Sequence, residues 1–258
     1  FHFEQRAGAE FLLAMILCLQ GFPLRARDMI DDGVAEVDAN GHALQFCVLL
    51  AQFACPVACL IGDLGRLDGF VSHLLDSAER HGLLAWSARG QCWRALLRIR
   101  RGEISPGIAA LDQALRNFPG QGRAFQHVWL LGELAKAKAD AGWLPEARGS
   151  IETALERAEI GGENWCAPEL LRLRGEIMKS QALLAEAEAA FRKSLSLARE
   201  QGALYWELRA ATSLARLLRG LGRRREAAAL LAPVRDRFED ALETDDLRDA
   251  RLLVPDLL

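Results

Sequence analysis

Two series of glycines, each stepping by forty residues, constrain this chain more than any other feature. Gly82, Gly122, Gly162 and Gly202 form the first, with Gly41 one residue off the beat; Gly62, Gly102, Gly142 and Gly222 form the second, which skips only Ala182. Each member of one series falls midway between two of the other, so a chain-reversing signal comes every twenty residues. Glycine supplies the left-handed backbone that ends helices and makes tight turns. Helix and turn alternating through about six such units is the pattern of an α-solenoid, in which each unit packs only against its neighbours. The expectation is an all-α fold: a right-handed α-solenoid of about six helix-turn-helix repeats with a C-terminal capping helix. It forms one domain over residues 1–258, with repeats at 1–41, 42–82, 83–122, 123–162, 163–202 and 203–240 and a cap at 244–258.

Composition supports helices and removes several classes of function. Hydrophobic residues make up 51% of the chain, and there is one tyrosine and few β-branched residues, against sheets. A net charge of −3 provides no overall basic field, so direct nucleic-acid binding is not expected. The most apolar stretch, Phe46 to Ile61, is broken by Gln52 and Pro56 and is shorter than a membrane span; it reads as a buried helix and not as a membrane anchor. The six cysteines (18, 47, 55, 59, 92 and 166) sit in apolar helical pattern without metal-ligand spacing, which fits reduced core thiols in the cytoplasm and implies no metal and no cofactor. The chain opens at Phe1 on a helical pattern, so it is expected to be a piece of a longer protein.

Each unit carries the same internal grammar. Second helices show a small residue, a large one four later and usually a small one three after that: Ala26-Ile30-Gly33, Val71-Leu75-Ala78, Gly107-Leu111-Ala114, Ala147-Ile151-Ala154, Ala187-Phe191-Ser194 and Ala227-Leu231-Val234. Such spacing keeps all three on one stripe. Twelve residues upstream of each first member stands another small residue, at 14, 59, 95, 135, 175 and 215, which lets the two helices of a hairpin approach closely. Pro23, Pro106 and Pro145 stand at the start of second helices, where a missing N–H costs nothing. An aromatic series (Phe125, Trp165 and Tyr205, with Trp86 nearly in step) reads as wedges between hairpins. Thr244-Asp245-Asp246 offers an N-cap with acids in the first turn of a final helix that buries Ala250, Leu252, Leu253 and Val254.

Leu171 and Gly175 followed by Ala187 and Phe191 resemble the tetratricopeptide repeat, whose pattern sets Leu-Gly on the first helix and Ala-x3-Phe on the second. The usual period is shorter than forty, and HEAT-type repeats are the rival with a nearer period. The block from Glu163 to Glu176, with Ala187 to Arg199 and Trp206 to Ala211, resembles the C-terminal repeat region of bacterial STAND-type signalling ATPases. In that family a winged-helix DNA-binding or adenylate cyclase domain precedes the ATPase. The resemblance is strongest over residues 125–240 and implies a sensor and protein-interaction arm of a signalling or transcriptional regulator. The chain has no GxxxxGK[ST] loop, so no nucleotide site is carried over.

The resemblance also implies that first helices line a concave groove. Positions three before, one after and four after the small residue would face it: Cys92, Leu96 and Ile99; Gly132, Lys136 and Ala139; Arg172, Glu176 and Lys179; Thr212, Arg216 and Arg219. With Arg209, Trp129 and Trp165 these supply the candidate groove-binding residues Lys136, Arg172, Glu176, Lys179, Arg209, Arg216, Arg219, Trp129 and Trp165. The C-terminal sets are mostly basic and suit a carboxylate-bearing peptide, whereas the plain alternative is a charged face balanced by its own neighbouring acids. Five scattered histidines and the absence of GxSxG or HExxH leave no catalytic constellation. The expected role is therefore non-catalytic: binding a protein or peptide partner or another domain of the same chain. The alternatives are a small-molecule-sensing groove that regulates an attached ATPase and self-association into a homo-oligomer.

Overall fold

The computed structural model of the chain describes residues 2–39, 41–118, 126–162, 164–238 and 242–257, with side chains from Gly8 onward. Among the described residues there is no strand, and thirteen helices pack in adjacent pairs. They are α1 (His2–Leu19), α2 (Pro23–Ala39), α3 (Ala43–Ile61), α4 (Leu64–Arg80), α5 (Leu84–Arg100), α6 (Ile104–Arg116) and α7 (His127–Asp140). Then follow α8 (Leu144–Gly161), α9 (Ala167–Ser180), α10 (Leu184–Glu200), α11 (Leu204–Gly220), α12 (Arg224–Arg235) and α13 (Asp245–Leu253).

One hydrogen-bonding device closes the turns. The first amide past the turn donates to the carbonyl five residues back: Asp63 to Ala58 (2.9 Å), Glu103 to Arg98 (3.0 Å), Trp143 to Lys138 (2.8 Å), Leu183 to Met178 (2.9 Å) and Arg223 to Leu218 (2.9 Å). Leu83 to Ala78 (2.8 Å) and Ala203 to Ala198 (2.9 Å) repeat it between hairpins. This bond requires a left-handed residue just before the donor. Gly62, Gly82, Gly102, Gly142, Gly202 and Gly222 fill that place with φ of 63° to 91°. Ala182, the one gap in the second glycine series, takes the same conformation at φ 60°. Gly122 and Phe125, with Phe1 and Glu163, lie outside the described residues.

Contacts divide the chain into two compact units, Phe1–Cys18 with Phe22–Leu130 and Leu19–Gly21 with Leu131–Leu258. The first unit is built on α3, which packs on α2, α4 and α5. The expected buried helix is longer than the apolar run suggested: it starts at Ala43, and its 19 residues are by length and composition enough to cross a membrane. Its apolar window is nevertheless 72% buried within the protein, as a core helix is. Leu50–Ala54 widens into a π-turn, with the Cys55 amide bonded to the Leu50 carbonyl. Pro56 has no N–H to give, so the Ala51 and Gln52 carbonyls lose their partners along the helix. Side chains replace them: Trp93 Nε1 donates to the Ala51 carbonyl at 2.9 Å, and Gln126 Nε2 donates to that of Gln52. The six cysteines are all buried as reduced thiols. Burial, only partly offset by Arg89, pushes the Cys92 thiol up to about 12, which leaves it inert.

In the second unit the close approach within hairpins is explicit. A Cβ at Gly175 of α9 would lie 2.5 Å from the Phe191 ring of α10, so only glycine fits. The buried stripe Ala147, Ile151 and Ala154 recurs as Ala187, Phe191 and Ser194; in the first unit its counterpart Ala114 is only half-buried. The last helix forms as expected, with Thr244 Oγ1 accepting from the Leu247 amide at 3.3 Å. It packs on α11 and α12 through Leu247, Ala250 and Leu253, whereas Leu252, expected among these, is 67% exposed.

Candidate interaction site

The forty-residue period places equivalent positions of successive first helices next to one another. Arg209 of α11 donates to Glu169 of α9 at 3.1 Å, forty residues away, and Arg172 donates to Ser213 at 3.2 Å. Glu169 is 1% exposed and accepts both a two-pronged contact from Arg172, at 2.8 Å on each oxygen, and the Arg209 bond. Arg209 reaches on to Asp246 of α13 at 2.8 Å, and the Tyr205 hydroxyl donates to the same carboxylate at 2.7 Å. Glu176, beside Arg172 at 3.7 Å, accepts from Lys179. The result is a charge network running from α9 through α11 to the last helix.

Burial alone would push the Glu169 carboxyl up, but Arg172 and Arg209 outweigh it and hold the group below its ordinary range. The same opposition acts at Asp246, where burial is overcome by Arg209 and the Tyr205 hydroxyl, and at Glu176, where it is overcome by Lys179 and Ser213. Both arginines are raised in turn, against burial, by the carboxylates they face. All of these groups are charged at neutral pH.

A cleft of about 310 Å³ opens over this network, lined by Lys136, Ala139 and Asp140 of α7, by Arg172, Leu173, Glu176, Ile177, Lys179 and Ser180 of α9, and by Arg216 of α11. Five of the nine candidate residues therefore meet in one place: Lys136, Arg172, Glu176, Lys179 and Arg216. The walls present four cations and two carboxylates. Each rim cation also has an acid within reach in the chain: Lys136 with Asp140 at 2.6 Å, Lys179 with Glu176, and Arg216 with Asp249 at 3.0 Å.

The other candidates go elsewhere. Arg209 is 11% exposed inside the network, and Arg219 pairs with Asp256 outside the cleft. Trp129 is 1% exposed with its ring 5.6 Å from that of Trp93, a core position that no ligand reaches. Trp165 packs 6.4 Å from the Trp206 ring, and its carbonyl accepts from Trp206 Nε1. Among the expected groove positions, Cys92, Gly132 and Thr212, each three before a small residue, are buried. Gly132 lies at a seam between packed helices, where an added Cβ would meet Leu170 at 2.6 Å. In the second unit the positions one and four after the small residue remain open, and of the positions three before it Arg172 alone reaches the cleft. In α5 even Leu96 and Ile99, the equivalents of those positions, are buried.

The residues that reading the chain missed are the acids: Glu169, Asp246, Asp249 and Asp256. A signal for the first existed, since Glu169 stands forty residues from Arg209 with opposite charge. No protein-family model matches the chain, and no curated protein matches it significantly.

Proposed function

We propose that the chain is a non-catalytic interaction module, a right-handed α-solenoid of six tetratricopeptide-like hairpins with a C-terminal cap, and that its α7–α9–α11 cleft holds a carboxylate-bearing peptide. The observation that carries this is the gathering of Lys136, Arg172, Lys179 and Arg216 around one cleft. Lys136 and Arg216, whose partners Asp140 and Asp249 are exposed, can turn to an incoming carboxylate at small cost. The solenoid reading is supported by the forty-residue pairing of α9 with α11 and by the uniform turn bond. Its twelve-residue offset favours the tetratricopeptide pattern over HEAT-type repeats. By resemblance to STAND-type ATPases, the module would serve as the cytoplasmic sensor arm of a larger regulator.

Binding of a fluorescein-labelled peptide ending in four glutamates tests the cleft. Lys136→Ala with Arg216→Ala is expected to weaken it by about an order of magnitude, as loss of two charge-assisted contacts would. Arg172 is unsuited to this test, because its removal takes the two-pronged partner from the buried Glu169. Binding that is unchanged in the double variant, or absent in the parent, overturns the assignment.

A second reading, self-association, is favoured by one face of α1. Leu12, Leu13 and Ile16 stand 40–47% exposed on a single stripe. Sedimentation that shows a dimer in the parent and a monomer in Leu12→Glu/Ile16→Glu would support it; a monomeric parent would remove it.

A further inference from the structure

Three arginines of α11 that the sequence marks for ligand contact each hold an aspartate of the C-terminal segment. Arg209 meets Asp246 at 2.8 Å, Arg216 meets Asp249 at 3.0 Å and Arg219 meets Asp256 at 3.1 Å. The pairs advance in the same order along both elements, so α13 runs parallel to α11, as α11 runs to α9 through Glu169–Arg209 and Arg172–Ser213. The segment also sorts its own charges. Asp246, Asp249 and Asp256 face α11, while Arg248 and Arg251 are taken by Asp245 and Glu243 of the same segment. Leu247, Ala250, Leu253 and Leu257 are buried beneath it. A row of spaced guanidiniums beside an apolar floor is thus filled by an acidic amphipathic helix.

We propose that this seat on α11 and α12 is a binding surface for an acidic amphipathic helix of a partner protein, with residues 244–257 as its resident occupant, displaced when the partner binds. The charge match specifies the partner: carboxylates three apart, a third seven residues further on, and leucines on the adjoining face. The occupant is suited to leave. Its helix has nine residues, below the length that holds together alone in water, so it is ordered by the seat. Two of its three ion pairs are open to solvent, with Asp249 and Asp256 more than half exposed, and such pairs bind weakly. Its buried leucines and the Arg209–Asp246 pair hold it in place, helped by the high local concentration that its covalent link provides. The seat shares only Arg216 with the cleft, and it stands or falls independently of the cleft's ligand.

The test uses the full chain and a labelled synthetic peptide of residues 242–258. Asp249→Arg with Asp256→Arg sets these two positions against Arg216 and Arg219 and loosens the resident segment without touching the seat. The peptide is expected to bind this variant at least about five-fold more tightly than the parent, because the free seat is more populated. Adding Arg216→Glu and Arg219→Glu, which restores the resident pairing in reverse, is expected to abolish that binding. Hydrogen exchange in the parent should show residues 244–257 opening well before α11. Opening only together with α11, equal peptide affinity for parent and variant, or affinity indifferent to the seat's charge each overturns the proposal. A concentration-dependent dimer of the parent that trades this segment between copies would assign the seat to a second copy and overturn the partner helix as well.

Discussion

Position 92 on α5 and position 172 on α9 occupy the same place in the repeat, three before a small residue, yet one is a buried cysteine and the other an arginine bound to a buried glutamate. The contrast extends along both helices. In the first unit Leu96 and Ile99 are buried, and Trp93 packs on Trp129. In the second unit Glu176, Lys179 and Arg216 stand open around a cleft. Both units share the turn bond and the buried small–large–small stripe. The scaffold is therefore carried by small residues at fixed intervals, and the chemistry by what fills the remaining positions of the first helices.

Removing the centre of the charged unit is the strongest way to break this contrast. Glu169→Ala leaves Arg172 and Arg209 buried without their shared carboxylate and is expected to cost about 3–5 kcal/mol. Urea unfolding followed at the two units measures it; a loss below about 1 kcal/mol would mean the arginines find water or Asp246 instead. Acid acts on the same groups. The carboxyls of Glu169, Glu176 and Asp246 are depressed in the folded state, so the stability they contribute is present above their unfolded values and is lost as pH falls through the folded ones. Hydrogen exchange below about pH 4 should open α9 and α11 before α3 and α5; simultaneous opening would contradict it.

In the first unit the matching weak point is the proline-broken helix. Trp93→Phe removes the donor to the Ala51 carbonyl and should cost about 1–3 kcal/mol, the range for an abandoned buried acceptor. Pro56→Ala restores an amide at that turn, so it should lessen the Trp93→Phe penalty. Additive effects in a double-mutant cycle would show the two are unconnected.

What was legible in the chain follows from range. Turns are local events, and a glycine at the right phase announces one without reference to anything distant. The hairpin stripe is legible for the same reason, since Ala187, Phe191 and Ser194 lie within two turns of helix. The cleft was half legible. Lys136, Lys179 and Arg216 line one cleft because the period carries them to one side, but Gly132 and Thr212 are buried, which depends on how closely the helices around them approach. Asp245 and Asp246 read as helix-starting residues, whereas the pairing of Asp246, Asp249 and Asp256 with α11 is not legible, because that segment leaves the period and its register has no repeat to follow. Trp93 and Gln126 as donors to α3 had no signal at all: they answer carbonyls freed by Pro56 across a long stretch of chain.

The smallest expected effect concerns the one rung where the glycine series fails. Ala182 sits at φ 60° in the turn between α9 and α10, where Gly102 holds the equivalent turn in the first unit at φ 91°. A Cβ in the left-handed region costs about 1–2 kcal/mol, while glycine gives back part of that by loosening the unfolded chain, roughly 0.4–1 kcal/mol. Ala182→Gly should therefore stabilise the second unit by about 0.5–1 kcal/mol. Gly102→Ala should destabilise the first by at least as much, since its φ lies further from what alanine tolerates. Thermal unfolding of the two variants reads the pair. If Ala182→Gly destabilised the protein, the turn at 182 would be held by something other than the six-to-one bond from Leu183 to Met178, and the equivalence of turns that underlies the whole comparison would fail at that rung.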